Sequence, residues 1–121
     1  MTESKTYTGG CHCGAVRYEV ALDLSAPVME CNCSHCAKKG FLLAFAPAEA
    51  FTLASGEGAL SEYRFNSKTI RHLFCATCGV QSFGRGVPPG GGAEMAAINV
   101  RCLDDVDPAT LTITPVDGKS L

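Results

Sequence analysis

A chain of 121 residues, 46% hydrophobic and 18% charged, has the size and composition of one compact domain; neither half would bury an adequate core, so two domains are excluded. A net charge of −2 and a pI near 5.9, with no block of Lys and Arg, exclude an electrostatic footprint for nucleic acid. No run approaches the roughly 18 apolar residues of a membrane span, and residues 1–5 lack the apolar core of an export signal, so the expected compartment is the cytoplasm.

In chain order, residues 6–8 lead into a first cysteine knuckle. Residues 15–22 alternate apolar and polar side chains and include β-branched and aromatic ones, which predicts a strand. Residues 28–31 form a short strand that enters a second knuckle, and 34–39 suit a single helical turn. Residues 41–45 read as a buried strand. Residues 51–55 and 60–65 flank Gly56-Glu57-Gly58 as hairpin partners would. A strand over 70–74 runs into a third knuckle, and one over 80–83 leaves it. Residues 86–92, rich in Gly and Pro, are a loop, because Pro lacks a donor and Gly lacks a packing side chain. Further strands are expected over 94–101 and 111–114, with a short helical start over 107–110. Helical periodicity is weak throughout, so the expected class is a mostly β fold, one small domain over 1–121.

Eight cysteines require an explanation. A disulfide scaffold needs an oxidising compartment; in a reducing one, closely spaced cysteines point to metal. Seven of them fall into three clusters: Cys11-His12-Cys13, Cys31-Asn32-Cys33-Ser34-His35-Cys36, and Cys75-Ala76-Thr77-Cys78; Cys102 stands alone. A Cys-x-x-Cys turn offers two thiolates to one metal, and a structural zinc takes four ligands. Cys11 and Cys13, two apart on an extended chain between glycines, are the natural second pair for Cys75 and Cys78. The expected result is a closed four-sulfur zinc site that staples the start of the chain to its middle.

The middle cluster is of another kind. Three protein ligands with one open position are the pattern of a catalytic zinc. Three thiolates on a divalent cation leave a net charge of −1, which makes a poor activator of water. A thiol arriving as fourth ligand would instead be deprotonated and kept nucleophilic. Cys31, Cys33 and Cys36 therefore point to thiol activation or carbon–sulfur chemistry. The alternative is a second structural site completed by Cys102 or a histidine.

At these clusters the sequence resembles the glutathione-dependent formaldehyde-activating enzyme family, which includes the centromere protein V domain. The matching stretches are Gly9-Gly-Cys-His-Cys-Gly-Ala-Val-Arg-Tyr18, Cys31-Asn-Cys-Ser-His-Cys36, Phe74-Cys-Ala-Thr-Cys-Gly-Val80 and Ile98-Asn-Val-Arg-Cys-Leu-Asp104. The resemblance implies a β-tent fold around two zinc ions. It implies structural ligands at Cys11, Cys13, Cys75 and Cys78, and a catalytic zinc on Cys31, Cys33 and Cys36. It further implies a small-molecule partner, glutathione, joined to formaldehyde as S-(hydroxymethyl)glutathione, formally a carbon–sulfur lyase reaction. The chain looks shorter than the family's founding enzymes, so fold and metal carry over more readily than substrate.

The remaining candidates have plainer readings beside the functional ones. His12 and His35 sit inside knuckles, where side chains usually turn away from the metal; His35 is the candidate proton shuttle beside the open site. His72 reads as a strand residue. Cys102 is either a small buried hydrophobe or a redox thiol. Arg64, Arg71 and Arg101 are fold-bracing residues or carboxylate partners. The 86–92 loop is flexible or a lid. The rivals to a lyase are a non-catalytic zinc scaffold and a thiol redox enzyme.

Overall fold

The computed structural model describes residues 4–63, 70–87 and 92–117. Among these lie ten strands: β1 (Lys5–Gly10), β2 (Arg17–Leu22), β3 (Val28–Cys31), β4 (Leu43–Pro47), β5 (Phe51–Ser55), β6 (Leu60–Tyr63), β7 (Ile70–Cys75), β8 (Phe83–Gly86), β9 (Met95–Asn99) and β10 (Ile113–Val116). One α-helix, α1 (Ser34–Lys39), follows β3. The fold is mostly β, as the turn-punctuated sequence requires.

The strands form two sheets, of order β1-β2-β5 and β10-β3-β4-β9-β8-β7-β6. Neighbours are antiparallel except β10, which lies parallel to β3. The alternation seen in β2 buries Tyr18, Val20 and Leu22 on one face. These residues share one core cluster with Phe51 of β5 and with Leu73, Phe83 and Ile98 of the larger sheet. Tyr18 and Phe51 have ring centroids 5.1 Å apart, and Phe51 and Phe83 4.6 Å. Each such ring contributes about 2–3 kcal/mol by leaving water. The buried Tyr18 hydroxyl donates to the Ser82 carbonyl at 3.1 Å, so its burial leaves no donor unmet.

Three expectations are corrected. Residues 51–55 and 60–65 are not hairpin partners: β5 pairs with β2, and β6 with β7. The chain between them makes a 3-10 turn at Glu57–Ala59 and passes from one sheet to the other. Glycines mark a turn but do not choose the partner strand; burial of Phe51 against Tyr18 and Phe83 does. The strand expected at 80–83 begins at Phe83, because the third knuckle consumes residues up to Val80, whose carbonyl accepts from the Cys75 N–H at 3.0 Å. The strand expected over 94–101 ends at Asn99, whose side chain caps a 3-10 turn, Val100–Cys102. The 107–110 expectation corresponds to the 3-10 turn Pro108–Thr110, capped by Asp107. Arg64, the end of the strand expected over 60–65, and the centre of the 86–92 loop lie outside the described residues.

Candidate metal centres

The first and third knuckles are built alike. In each, the N–H of the first cysteine donates to the carbonyl five residues on: Cys11 to Val16 at 3.1 Å, Cys75 to Val80 at 3.0 Å. Each turn also needs one residue at positive φ, supplied by Gly14 (+85°) and Gly79 (+80°). The turn at 11–16 joins β1 to β2, and the turn at 75–80 leads from β7 toward β8. The two sheets thus present the two knuckles to each other.

The four sulfurs of Cys11, Cys13, Cys75 and Cys78 all lie within 4.8 Å of one another. Cys13 Sγ is 3.6 Å from the sulfurs of both Cys11 and Cys75. Tetrahedral zinc with Zn–S bonds of about 2.3 Å sets its sulfurs about 3.8 Å apart, so this donor set fits that ion. Backbone N–H groups point at the sulfurs, from Val16 to Cys11 (3.3 Å) and from Thr77 (3.4 Å) and Cys78 (3.5 Å) to Cys75. Such donors favour thiolate. The N–H groups of Val80 and Cys13 bring Cys78 down to about 6, and those of Cys78 and Thr77 hold Cys75 low. The Ala15 N–H pulls Cys13 down as well, but the neighbouring sulfurs of Cys75 and Cys11 outweigh it and raise that thiol to about 11. Four crowded sulfurs cannot all ionise without a cation to share.

The third sulfur group lies where β3 runs into α1. Cys33 caps the helix, its sulfur accepting from the Cys36 N–H at 3.4 Å. Gly40 closes the other end, its N–H donating to the Cys36 carbonyl, with Lys38 and Lys39 in the last turn facing the negative end of the dipole. The Cys33 N–H donates to Cys31 Sγ at 3.5 Å. The sulfurs of Cys31, Cys33 and Cys36 lie within 4.8 Å of one another. Burial raises Cys36. Burial also pushes Cys33 up, but the Cys36 N–H and the flanking sulfurs outweigh it and leave that thiol lowered. Beside this group is a cavity of about 380 Å³ whose walls include Cys31, Cys36, Phe41 and Val116.

Neither Cys102 nor a histidine joins either sulfur group among the described residues. Cys102 is partly buried beside the four-sulfur group, its thiol raised to about 11 by burial and by Cys11 and Cys78. That is the opposite of a reactive redox thiol. His12 is exposed.

The comparisons with known proteins follow the same pattern. A profile of the glutathione-dependent formaldehyde-activating enzyme family matches residues 6–116. The chain belongs to that family. Among solved structures, a Rhodobacter sphaeroides protein superposes with a TM-score of 0.77 at 32% identity, covering 88% of this chain and 99% of its own. No helix among the described residues is long and apolar enough to cross a membrane.

Within this family member, His35 is half-buried on α1 and lies among rings: 4.3 Å between centroids to His72, 5.7 Å to Phe41, and 5.7 Å, nearly parallel, to Tyr63. His72 is a strand residue of β7, but it also faces His35 and sits 3.5 Å from the Gln81 amide nitrogen. Burial, then the positive Lys39, lowers the His35 pKa; burial, His35 and Lys39 bring His72 to about 4. Both imidazoles are therefore neutral at pH 7. The association of His72 and Tyr63 with His35 had no signal in the sequence, because it depends on which strand lies under the helix. Arg71 is paired with Glu62, and Arg17 with Asp104.

Proposed function

We propose that this chain is a zinc-dependent carbon–sulfur lyase that joins glutathione to formaldehyde, and acts as one domain over residues 1–121 in the reducing cytoplasm. The observation that carries the reading is the difference between the two sulfur groups. One is a closed set of four that links two sheets; the other is a set of three, all within one turn, beside a cavity. Membership of the family named for glutathione and formaldehyde supports the substrates.

In this reading Cys11, Cys13, Cys75 and Cys78 hold a structural zinc, and Cys31, Cys33 and Cys36 hold a second. Bound there, zinc supplies positive charge that favours the thiolate form of an incoming thiol. The cavity beside Cys31 and Cys36 seats the substrate and orients its sulfur. His35, beside Cys36 in the chain but with its ring against Phe41, Tyr63 and His72 and not in the lining of that cavity, is in this reading the proton carrier: neutral at pH 7, it takes the thiol proton and returns it to the carbonyl oxygen as the carbon–sulfur bond forms, so the adduct gains both parts of the S–H. Phe41, Tyr63 and His72 fix the imidazole plane. The raised Cys102 thiol gives the redox reading no support. The test is the rate of S-(hydroxymethyl)glutathione formation with zinc-loaded protein, which should exceed the spontaneous rate; equality with the spontaneous rate contradicts the proposal.

A further inference from the structure

A second cavity, of about 220 Å³, lies between the two sheets, on the face of β7 opposite to His72. Its floor is β6, β7 and β8. The register sets Arg71 directly opposite Arg85, Leu73 opposite Phe83 and Glu62 opposite Leu73, so these side chains share one face. Leu53 of β5 and Glu57 of the following 3-10 turn line the cavity from the other side. No cysteine of either sulfur group belongs to this lining.

Two guanidinium groups directly opposite on neighbouring strands repel each other. Arg71 is neutralised by its pair with Glu62. Arg85 forms no ion pair among the described residues, with the exposed Glu57 or with any other carboxylate. Its guanidinium lies 5.1 Å from the Phe51 ring centroid and 5.7 Å from that of Phe83. That stacking places the charge but supplies no acceptor. The buried Nε of Arg85 has no hydrogen-bond partner among the described residues. A buried donor without an acceptor is costly, and this one belongs to the wall of a cavity.

We propose that this cavity binds a small aliphatic carboxylate, its head on Arg85 and its tail against Leu53, Leu60, Leu73 and Phe83. A guanidinium takes a carboxylate through two parallel N–H···O bonds, and the bound charge would relieve the repulsion between Arg71 and Arg85. An inorganic anion would match the guanidinium but leave the apolar lining against water. The volume is small beside that of sites for drug-sized ligands, so the tail is a few carbons long. The site goes beyond the lyase reading and does not depend on it, since neither sulfur group takes part.

The probe is n-butyrate, titrated at constant ionic strength into zinc-loaded, isotope-labelled protein and followed by backbone amide shifts. Binding should saturate with a Kd on the order of 1 mM, with the largest shifts in β5, β7 and β8. Butyramide has the shape without the charge, and phosphate has the charge without the tail; each should bind at least about tenfold more weakly. Arg85→Lys keeps the charge but loses the fork, and it should weaken butyrate about tenfold. Equal affinity for butyrate and either control ligand overturns the proposal, as does undiminished binding by Arg85→Lys. Shifts confined to residues 31–36 would place the carboxylate at the three-sulfur group and overturn it too. If Arg85→Lys does not fold, the three-ligand comparison on the wild type decides alone.

Discussion

Asp104 shows how a single side chain can brace a metal knuckle without touching it. It pairs with Arg17 at the start of β2, accepts from the Thr8 hydroxyl at 2.7 Å, and its own N–H donates to the Thr8 carbonyl at 2.8 Å. The 3-10 turn carrying Arg101 is thus tied to the β1–β2 hairpin that bears Cys11 and Cys13. The Arg17 guanidinium and the Thr8 hydroxyl hold the Asp104 carboxyl below its ordinary range. A carboxylate with a depressed folded pKa adds stability above its unfolded pKa of about 3.9 and loses it as pH falls through the folded value. Both partners are about two-fifths exposed, so solvent limits the pair to under about 1 kcal/mol. Asp104→Asn should therefore lower stability slightly in denaturant titrations from pH 5 to 8. The difference from wild type should shrink below about pH 4. A difference that grows as pH falls would contradict the assignment. His35 offers a test of chemistry at the same scale. His35→Gln should slow adduct formation about a hundredfold at pH 7 with zinc content unchanged. An undiminished rate would remove His35 from the mechanism.

At the scale of elements, the two sulfur groups should fail differently. Cys75→Ala opens the site that joins the β1–β2 turn to the end of β7. It should cost several kcal/mol and abolish cooperative thermal unfolding, because metal binding across that long loop is folding free energy. Cys33→Ala removes a ligand whose partners all lie within one turn, and it should leave a folded protein holding one zinc fewer. Equal loss of structure in the two variants would refute the division into structural and catalytic sites. The knuckle also depends on close backbone packing. A Cβ on Gly10 would fall 2.0 Å from the Val16 carbonyl oxygen, so Gly10→Ala should weaken zinc retention at the four-sulfur site, as read by release to a chelator. The local elements were largely legible in the sequence. The alternation over residues 15–22, the short helical start over 107–110, and the three cysteine spacings each depend on neighbours within a few residues. The pairing of β5 with β2 was not legible, since it is set by burial of Phe51 among residues far along the chain.

For the whole molecule, two sheets that meet at a four-sulfur group and carry a three-sulfur group on their margin give the proposed reading its form, a small domain with a reactive centre apart from the site that joins its sheets. Which cysteines belong together followed from spacing, and the sulfur positions have the same grouping. What spacing could not show was the surroundings of Cys31, Cys33 and Cys36. The rings of Tyr63 and His72 come from β6 and β7, and the cavity residues Pro115, Val116 and Asp117 from β10 and the position after it; no local pattern brings those segments together. The central claim is that the three-sulfur zinc keeps a position for a substrate thiol. X-ray absorption at the zinc edge, on protein loaded with two zinc ions, tests it most directly. Adding glutathione should raise the mean number of sulfur neighbours per zinc, and Cys102→Ser should respond in the same way. A sulfur count unchanged by glutathione in the wild type, with both zinc ions already fully coordinated by the protein, would contradict the account and leave a zinc scaffold.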